Sequence, residues 1–224
     1  MHQNDAGDDQ KEPITTVNPA KAPMQSLCLL PLLPALLLPG LGALIALAIV
    51  ITVLVFVRAS RGPTLALRDR GIGVSVAIGI ASGLGVVVAF GVVLEPIIEQ
   101  VTSSRVDLGA LAGVEGDFPA FLMLLAFGLL FGGIVEEVIF RGYVVGWGTA
   151  LFGARAAPWL VVLSAVVFGV SHLYQGVAGM LATGLVGFAF GLLYLGTNRR
   201  LLPVIVAHMT VNAYGITMLY LGFG

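Results

Sequence analysis

The stretch FGGIVEEVIFRGY, residues 131–143, decides how this chain folds. It places Glu136, Glu137 and Arg141 inside sequence that otherwise avoids charge. Either the charges mark the end of a membrane span, or they lie within one. The surroundings bear on the choice. Of 224 residues, 58% are hydrophobic and only 10% are charged. A soluble domain carries about 45–50% apolar and about 25% charged residues. The length is therefore better counted in spans of about 20 residues than in soluble domains.

Working outward from this stretch, uncharged runs occupy residues 27–57, 71–94, 118–135, 156–171, 173–196 and 201–224, the last interrupted only by His208. Lipid offers the backbone no hydrogen-bond partners, and these runs are too long for barrel strands, so they read as helices. Pro31, Pro34 and Pro39 break the first run, which leaves residues 40–57 as its helical span behind an interfacial segment. The expected fold is an all-α polytopic membrane protein, a bundle of about six transmembrane helices around an intramembrane polar site. Its parts are a disordered polar tail (1–26), two N-terminal spans with an acidic loop (27–117) and a four-span core (118–224).

Charge restricts the function classes. The net charge of -1 gives no basis for binding nucleic acid. Cys28 is the one cysteine, which excludes an intrachain disulfide and a cysteine-rich zinc site. Arg58, Arg61, Arg68 and Arg70 follow the first span, Arg155 follows the third, and Arg199 and Arg200 follow the fifth. With alternating spans these loops share one side, which the distribution of basic residues assigns to the cytoplasm. The opposite loop, residues 95–117, is acidic. Gly128 and Gly132, Gly142 and Gly146, and Gly187 and Gly191 are four apart, the spacing that lets membrane helices approach closely.

Five ionisable side chains remain in or beside the spans: Glu136, Glu137, Arg141, His172 and His208. Such groups are expensive in lipid and should face the bundle interior and one another. Glu137 and Arg141 are i,i+4 with the acid first, the favourable order for a pair. Glu136 lies about 100° further round an α-helix, so the two carboxylates point different ways. One pairs with Arg141; the other is free to face a cavity. His208 and Asn212 are i,i+4 on one face of the last span.

Depth favours the interior reading. If the glutamate helix continues to about residue 152, Glu136 lies about 24 Å from its end, and His172 lies about 24 Å into the fourth span. Asn212 reaches only about 15 Å and His208 about 9 Å, a mismatch that tilt or an earlier helix end would reduce. Taken alone, Glu137 with Arg141 reads as a bundle-stabilising ion pair, and His172 as a polar contact between helices. Two histidines, an unpaired glutamate and an asparagine on three spans read together as a site. Phe168 reads as packing, and Ser171, Thr210 and Tyr143 are left outside the site.

These residues resemble a known family, the CAAX prenyl protease and bacteriocin-processing (Abi, type II CAAX) intramembrane proteases, whose pattern is EExxxR, FxxxH and HxxxN. The chain has EEVIFR (136–141), FGVSH (168–172) and HMTVN (208–212), in order and on separate spans. The resemblance covers residues 118–224. It implies a membrane endopeptidase acting on a peptide or protein substrate, lipid-modified in the prenylated CAAX case, and links to bacteriocin maturation or immunity in bacterial members. It suggests a bacterial cell membrane as location. Carried over by position, Glu136 is the general base, His172 holds or activates the water, and His208 and Asn212 donate to the oxyanion, with Glu137 and Arg141 in support. A metallopeptidase is the alternative within the family, with a divalent ion such as zinc on Glu136, His172 and His208 and Glu137 as base. The usual helical zinc signature HExxH is absent. Outside the family, the same side chains fit a transporter or proton relay, or a non-enzymatic immunity protein.

Overall fold

The computed structural model describes residues 22–38, 41–66 and 71–223, and the regular structure among them is all helical. Four shorter helices come first: α1 (Ala22–Leu29), α2 (Leu32–Leu37), α3 (Leu41–Phe56) and α4 (Arg58–Leu65). Five longer helices are apolar enough to cross a membrane: α5 (Ile72–Thr102), α6 (Phe118–Phe152), α7 (Ala154–Ser171), α8 (Leu173–Gly196) and α9 (Leu201–Tyr220). The chain is thus a polytopic all-α protein. The expected sixth span is α3, whose 16 residues rise about 24 Å. That is shorter than a hydrocarbon core of about 30 Å, so α3 stands with the prolines' segment 23–37 as a shorter apolar helix.

Residues 1–21 of the expected tail lie outside the described residues, as do Arg68 and Arg70. Residues 22–26 belong to α1. The sequence of α1 explains why: Met24, Leu27 and Leu29 pack on an apolar cluster with buried Cys28. The thiol donates to the Tyr143 carbonyl at 3.6 Å, and the Tyr143 hydroxyl donates to the Leu27 carbonyl at 2.9 Å. At the other end of the first half, α5 runs eight residues into the expected acidic loop, over Glu95–Thr102. Burial of Ile98 against Ala178 and Ala182 supports that extension.

α6 carries Glu136 and Glu137, and its termini are written in its sequence. The Asp117 carboxylate caps it, accepting from the Ala120 amide at 3.0 Å, with Pro119 in the first turn. At its other end Gly153, at φ 91°, turns the chain into α7. Only glycine takes that conformation without strain. Between these limits the helix runs without interruption, so the glutamates lie inside it. Gly128–Glu136 and Val138–Trp147 wind as π-helix. An i→i+5 turn holds more residues than an α turn, so each advances less along the axis. Measured from Phe152, Glu136 is therefore shallower than α-helical arithmetic places it.

Small residues set the helix spacings. α5 lies along α9 with Gly79 and Gly83 at the contact; a Cβ there would stand 2.7 Å from the carbonyls of Pro203 and Ala207. A Cβ at Gly169 of α7 would stand 2.6 Å from the Met180 carbonyl of α8. On α6, Gly142 and Gly146 admit the backbone of α4 at Thr64 and Pro63. Packing at this range brings together the faces of α6, α7, α8 and α9 that surround the expected polar site.

Candidate active site

The site forms around Arg141, a guanidinium with 1% of its side chain exposed. Its Nη1 donates to Glu137 Oε1 at 2.9 Å, and its Nη2 donates to the Gly187 carbonyl of α8 at 2.6 Å. The guanidinium also lies over two rings, Phe168 at 5.1 Å and Phe190 at 5.7 Å. Two hydrogen bonds and two aromatic faces replace the water this cation has lost. Gly187 is a glycine for a steric reason: a Cβ there would stand 2.9 Å from Phe168 Cδ1 and 3.4 Å from Arg141 Nη2.

Glu137 is fully buried and holds two partners with one oxygen. Oε1 accepts from Arg141 and contacts His208 Nδ1 at 2.7 Å. A carboxylate accepts hydrogen bonds, so the Nδ1 hydrogen of His208 points to Glu137. Glu136 approaches the opposite edge of the same imidazole, with Oε2 3.9 Å from Nε2. Both carboxylates therefore reach His208, one at each nitrogen. Two features produce this: the wide winding of α6 on either side of Glu137, and the close seating of α9 against it. Glu137 is 0% exposed while Glu136 keeps 15% of its side chain accessible. The pair thus divides into a buried anchor and a reachable carboxylate.

Asn212 lies one turn beyond His208. Its Nδ2 donates to the Gly128 carbonyl of α6 at 2.9 Å, and one amide hydrogen makes that bond. A Cβ at Gly132 would overlap the Asn212 amide and stand 3.6 Å from His208 Nε2. Gly128 and Gly132 therefore do more than admit a helix; they leave the volume into which the α9 polar groups project.

His172 closes the end of α7. Its Nδ1 donates to the Phe168 carbonyl at 2.8 Å, with Ser171 Oγ 3.3 Å away. A carbonyl can only accept, so neutral His172 carries its hydrogen on Nδ1 and leaves Nε2 as an acceptor. The connection to the rest of the site is the Phe168 ring, 4.7 Å from His172 and 6.0 Å from His208 between centroids. The backbone amide of Asp107 donates to the Gln175 carbonyl at 2.9 Å and ties the turn after His172 to the loop before α6.

Glu136, Glu137, Arg141 and His208 are thus in direct contact or nearly so. Asn212 joins through Gly132, and His172 through Phe168. Among the described residues, no three or more His, Cys, Asp or Glu side chains gather into a group able to hold a metal ion. Glu136, His172 and His208 do not close as a ligand triad in this arrangement. Sequence reasoning missed Phe168 as the shared wall of both histidines, Phe190 as the second face on Arg141, 5.1 Å from the His208 ring, and Gly187 as an acceptor. The available signal was spacing: Phe190 follows Gly187 by three residues, one face of α8.

Residues 118–214 match the family described as Type II CAAX prenyl endopeptidase Rce1-like. The match begins with α6 and contains all three of the motifs that build the site. No curated protein and no solved structure matches the chain. The family suggests protease activity of the CAAX intramembrane endopeptidase type, with a peptide or protein substrate in a membrane setting.

Proposed function

From that match and the geometry beside it, we propose that this protein is a glutamate-dependent intramembrane endopeptidase acting on CAAX-type substrates, with lipid modification part of what it recognises. The observation that carries the proposal is the chain Arg141–Glu137–His208–Glu136, an anchored relay that ends on an accessible carboxylate. Peptide hydrolysis needs a water deprotonated as it attacks and donors aimed at the oxyanion it creates. Glu136 is the base. His172 presents Nε2 as an acceptor and so holds one hydrogen of the water while Glu136 takes the other.

His208 and Asn212 serve the oxyanion. With its Nδ1 hydrogen committed to Glu137, His208 has Nε2 on the side of Glu136 and donates from it only when that nitrogen also carries a hydrogen. The second amide hydrogen of Asn212 is the other donor. When the tetrahedral intermediate collapses, the carboxylic acid formed on Glu136 returns its proton to the leaving amine. Glu137 and Arg141 touch no reacting atom; they fix the position of His208. The Arg-bearing loops lie on the cytoplasmic side of a cell membrane in this reading.

Protein purified in detergent and incubated with a farnesylated peptide ending in a CAAX sequence tests the proposal. Mass spectrometry reads loss of the last three residues. A peptide left whole by protein that melts cooperatively contradicts it. The same reaction after chelation and metal analysis separates the two routes: undiminished cleavage by metal-free protein supports the glutamate route, and loss restored by zinc overturns it.

A further inference from the structure

A recess lies at the opposite end of the bundle from the His172 turn. Its volume is about 410 Å³ and its walls come from three chain segments: α4 with Pro63, the end of α6 with Gly146 and Thr149, and the end of α8 with the turn after it, Tyr194 and Arg199. Ala154, the first residue of the 18-residue helix α7, completes it. These segments adjoin the three arginine-bearing loops.

Among the described residues of the lining, Arg199 is the one charged side chain and none is acidic. Arg199 follows Asn198 in a turn where both have positive φ, 56° and 61°, and its amide donates to the Tyr194 carbonyl at 2.8 Å. The turn thereby holds Arg199 beside Tyr194. Tyr194 is fully buried, and its hydroxyl has no hydrogen-bond partner among the described residues. The hydroxyl lies against Gly146, where a Cβ would stand 2.5 Å from it. Thr149 supplies no competing donor, because its hydroxyl donates to the Val145 carbonyl at 2.6 Å. The start of α7 adds the positive end of a helix dipole.

A buried hydroxyl without an acceptor is costly, and an incoming oxygen relieves that cost. With a guanidinium and a helix start beside it, the oxygen best suited is anionic. We propose that this recess binds a phosphate group, with the Tyr194 hydroxyl and the Arg199 guanidinium as its donors. A basic recess between membrane helices at the headgroup level is where a phospholipid presents such a group. A soluble phosphoester carries the same chemistry.

Short-chain phosphatidylglycerol, short-chain phosphatidylcholine and inorganic phosphate, each titrated into the full chain in neutral detergent and read by thermal shift, test the proposal. Both lipids stabilise the protein if the headgroup phosphate is the ligand; inorganic phosphate alone does so if the source is soluble. Tyr194→Phe removes one hydroxyl and no volume beneath it, and should weaken binding about fivefold. Arg199→Asn keeps a residue that tolerates positive φ and should weaken it tenfold or more, roughly the loss of one charged hydrogen bond. Arg155→Gln removes an exposed charge that does not line the recess and should leave binding unchanged. Equal losses in Arg155→Gln and Arg199→Asn would show diffuse surface attraction and overturn the proposal. So would undiminished binding by a well-folded Tyr194→Phe protein, or no stabilisation by any of the three ligands.

Discussion

Replacing Arg141 by methionine tests whether the buried relay is an ion pair that holds the site. Methionine fills the space under Phe168 and Phe190 but has no donor. The change deletes the 2.9 Å bond to Glu137 and the 2.6 Å bond to the Gly187 carbonyl, and leaves a fully buried carboxylate with His208 alone. Removing one partner of a buried pair costs about 3–5 kcal/mol, because the other charge stays behind. At about 2–4 °C per kcal/mol for a chain of this size, the melting temperature should fall by about 6–20 °C. Adding Glu137→Gln removes the stranded charge while its carbonyl oxygen still accepts from His208 Nδ1. The double variant should therefore regain most of the stability but little of the cleavage, since His208 loses the carboxylate that anchors it. Melting in detergent and peptide cleavage are read on wild type, the single and the double. An Arg141→Met protein that melts within about 2 °C of wild type refutes the reasoning. So does a double variant that is no more stable than the single, or one that cleaves at the wild-type rate.

Three further outcomes follow from the same geometry. Gly187→Ala places a methyl group against Phe168 and Arg141 and should lower both melting temperature and kcat, by about 1–3 kcal/mol of overpacking in the first case. Asn212→Ala removes the donor proposed for the oxyanion and should lower kcat by about 10²–10³ with little change in KM, while losing one hydrogen bond to Gly128, about 1 kcal/mol of stability. Asp117→Ala removes the cap of α6, far from the polar cluster, and should lower stability by about 1 kcal/mol while cleavage of the peptide stays at the wild-type rate.

Much of the fold is legible in uncharged run length, because a membrane span must be apolar over its whole length and must satisfy its own backbone. α7, α8 and α9 begin and end close to the charge boundaries for that reason. The end of α5 is not legible this way: Glu95 and Glu99 look like loop, but Ile98 buries itself against α8 and carries the helix past them. The Glu137–Arg141 pair is local, four residues apart, and spacing alone displays it. The Glu137–His208 bond joins residues 71 apart. Depth arithmetic obscured it, since counting at α-helical rise set His208 far shallower than the glutamates, and no residue pattern announced the wide winding that shortens α6. Phe168 and Phe190 looked like ordinary apolar residues because their role is to offer ring faces to Arg141, which depends on two other helices. Gly128, Gly132 and Gly187 carried a spacing signal for close approach but none for what approaches: Asn212 at the first two and the Arg141 guanidinium at the third.

The central claim is that Glu136, and not its buried neighbour, takes the proton of the attacking water. Glu136→Gln tests it most directly, because the side chain is partly accessible and its closest charged contact, His208, stands 3.9 Å away. The account predicts unchanged melting and unchanged peptide binding, with release of the C-terminal tripeptide slowed by about 10²–10⁴. A Glu136→Gln protein that releases the tripeptide at the wild-type rate contradicts it.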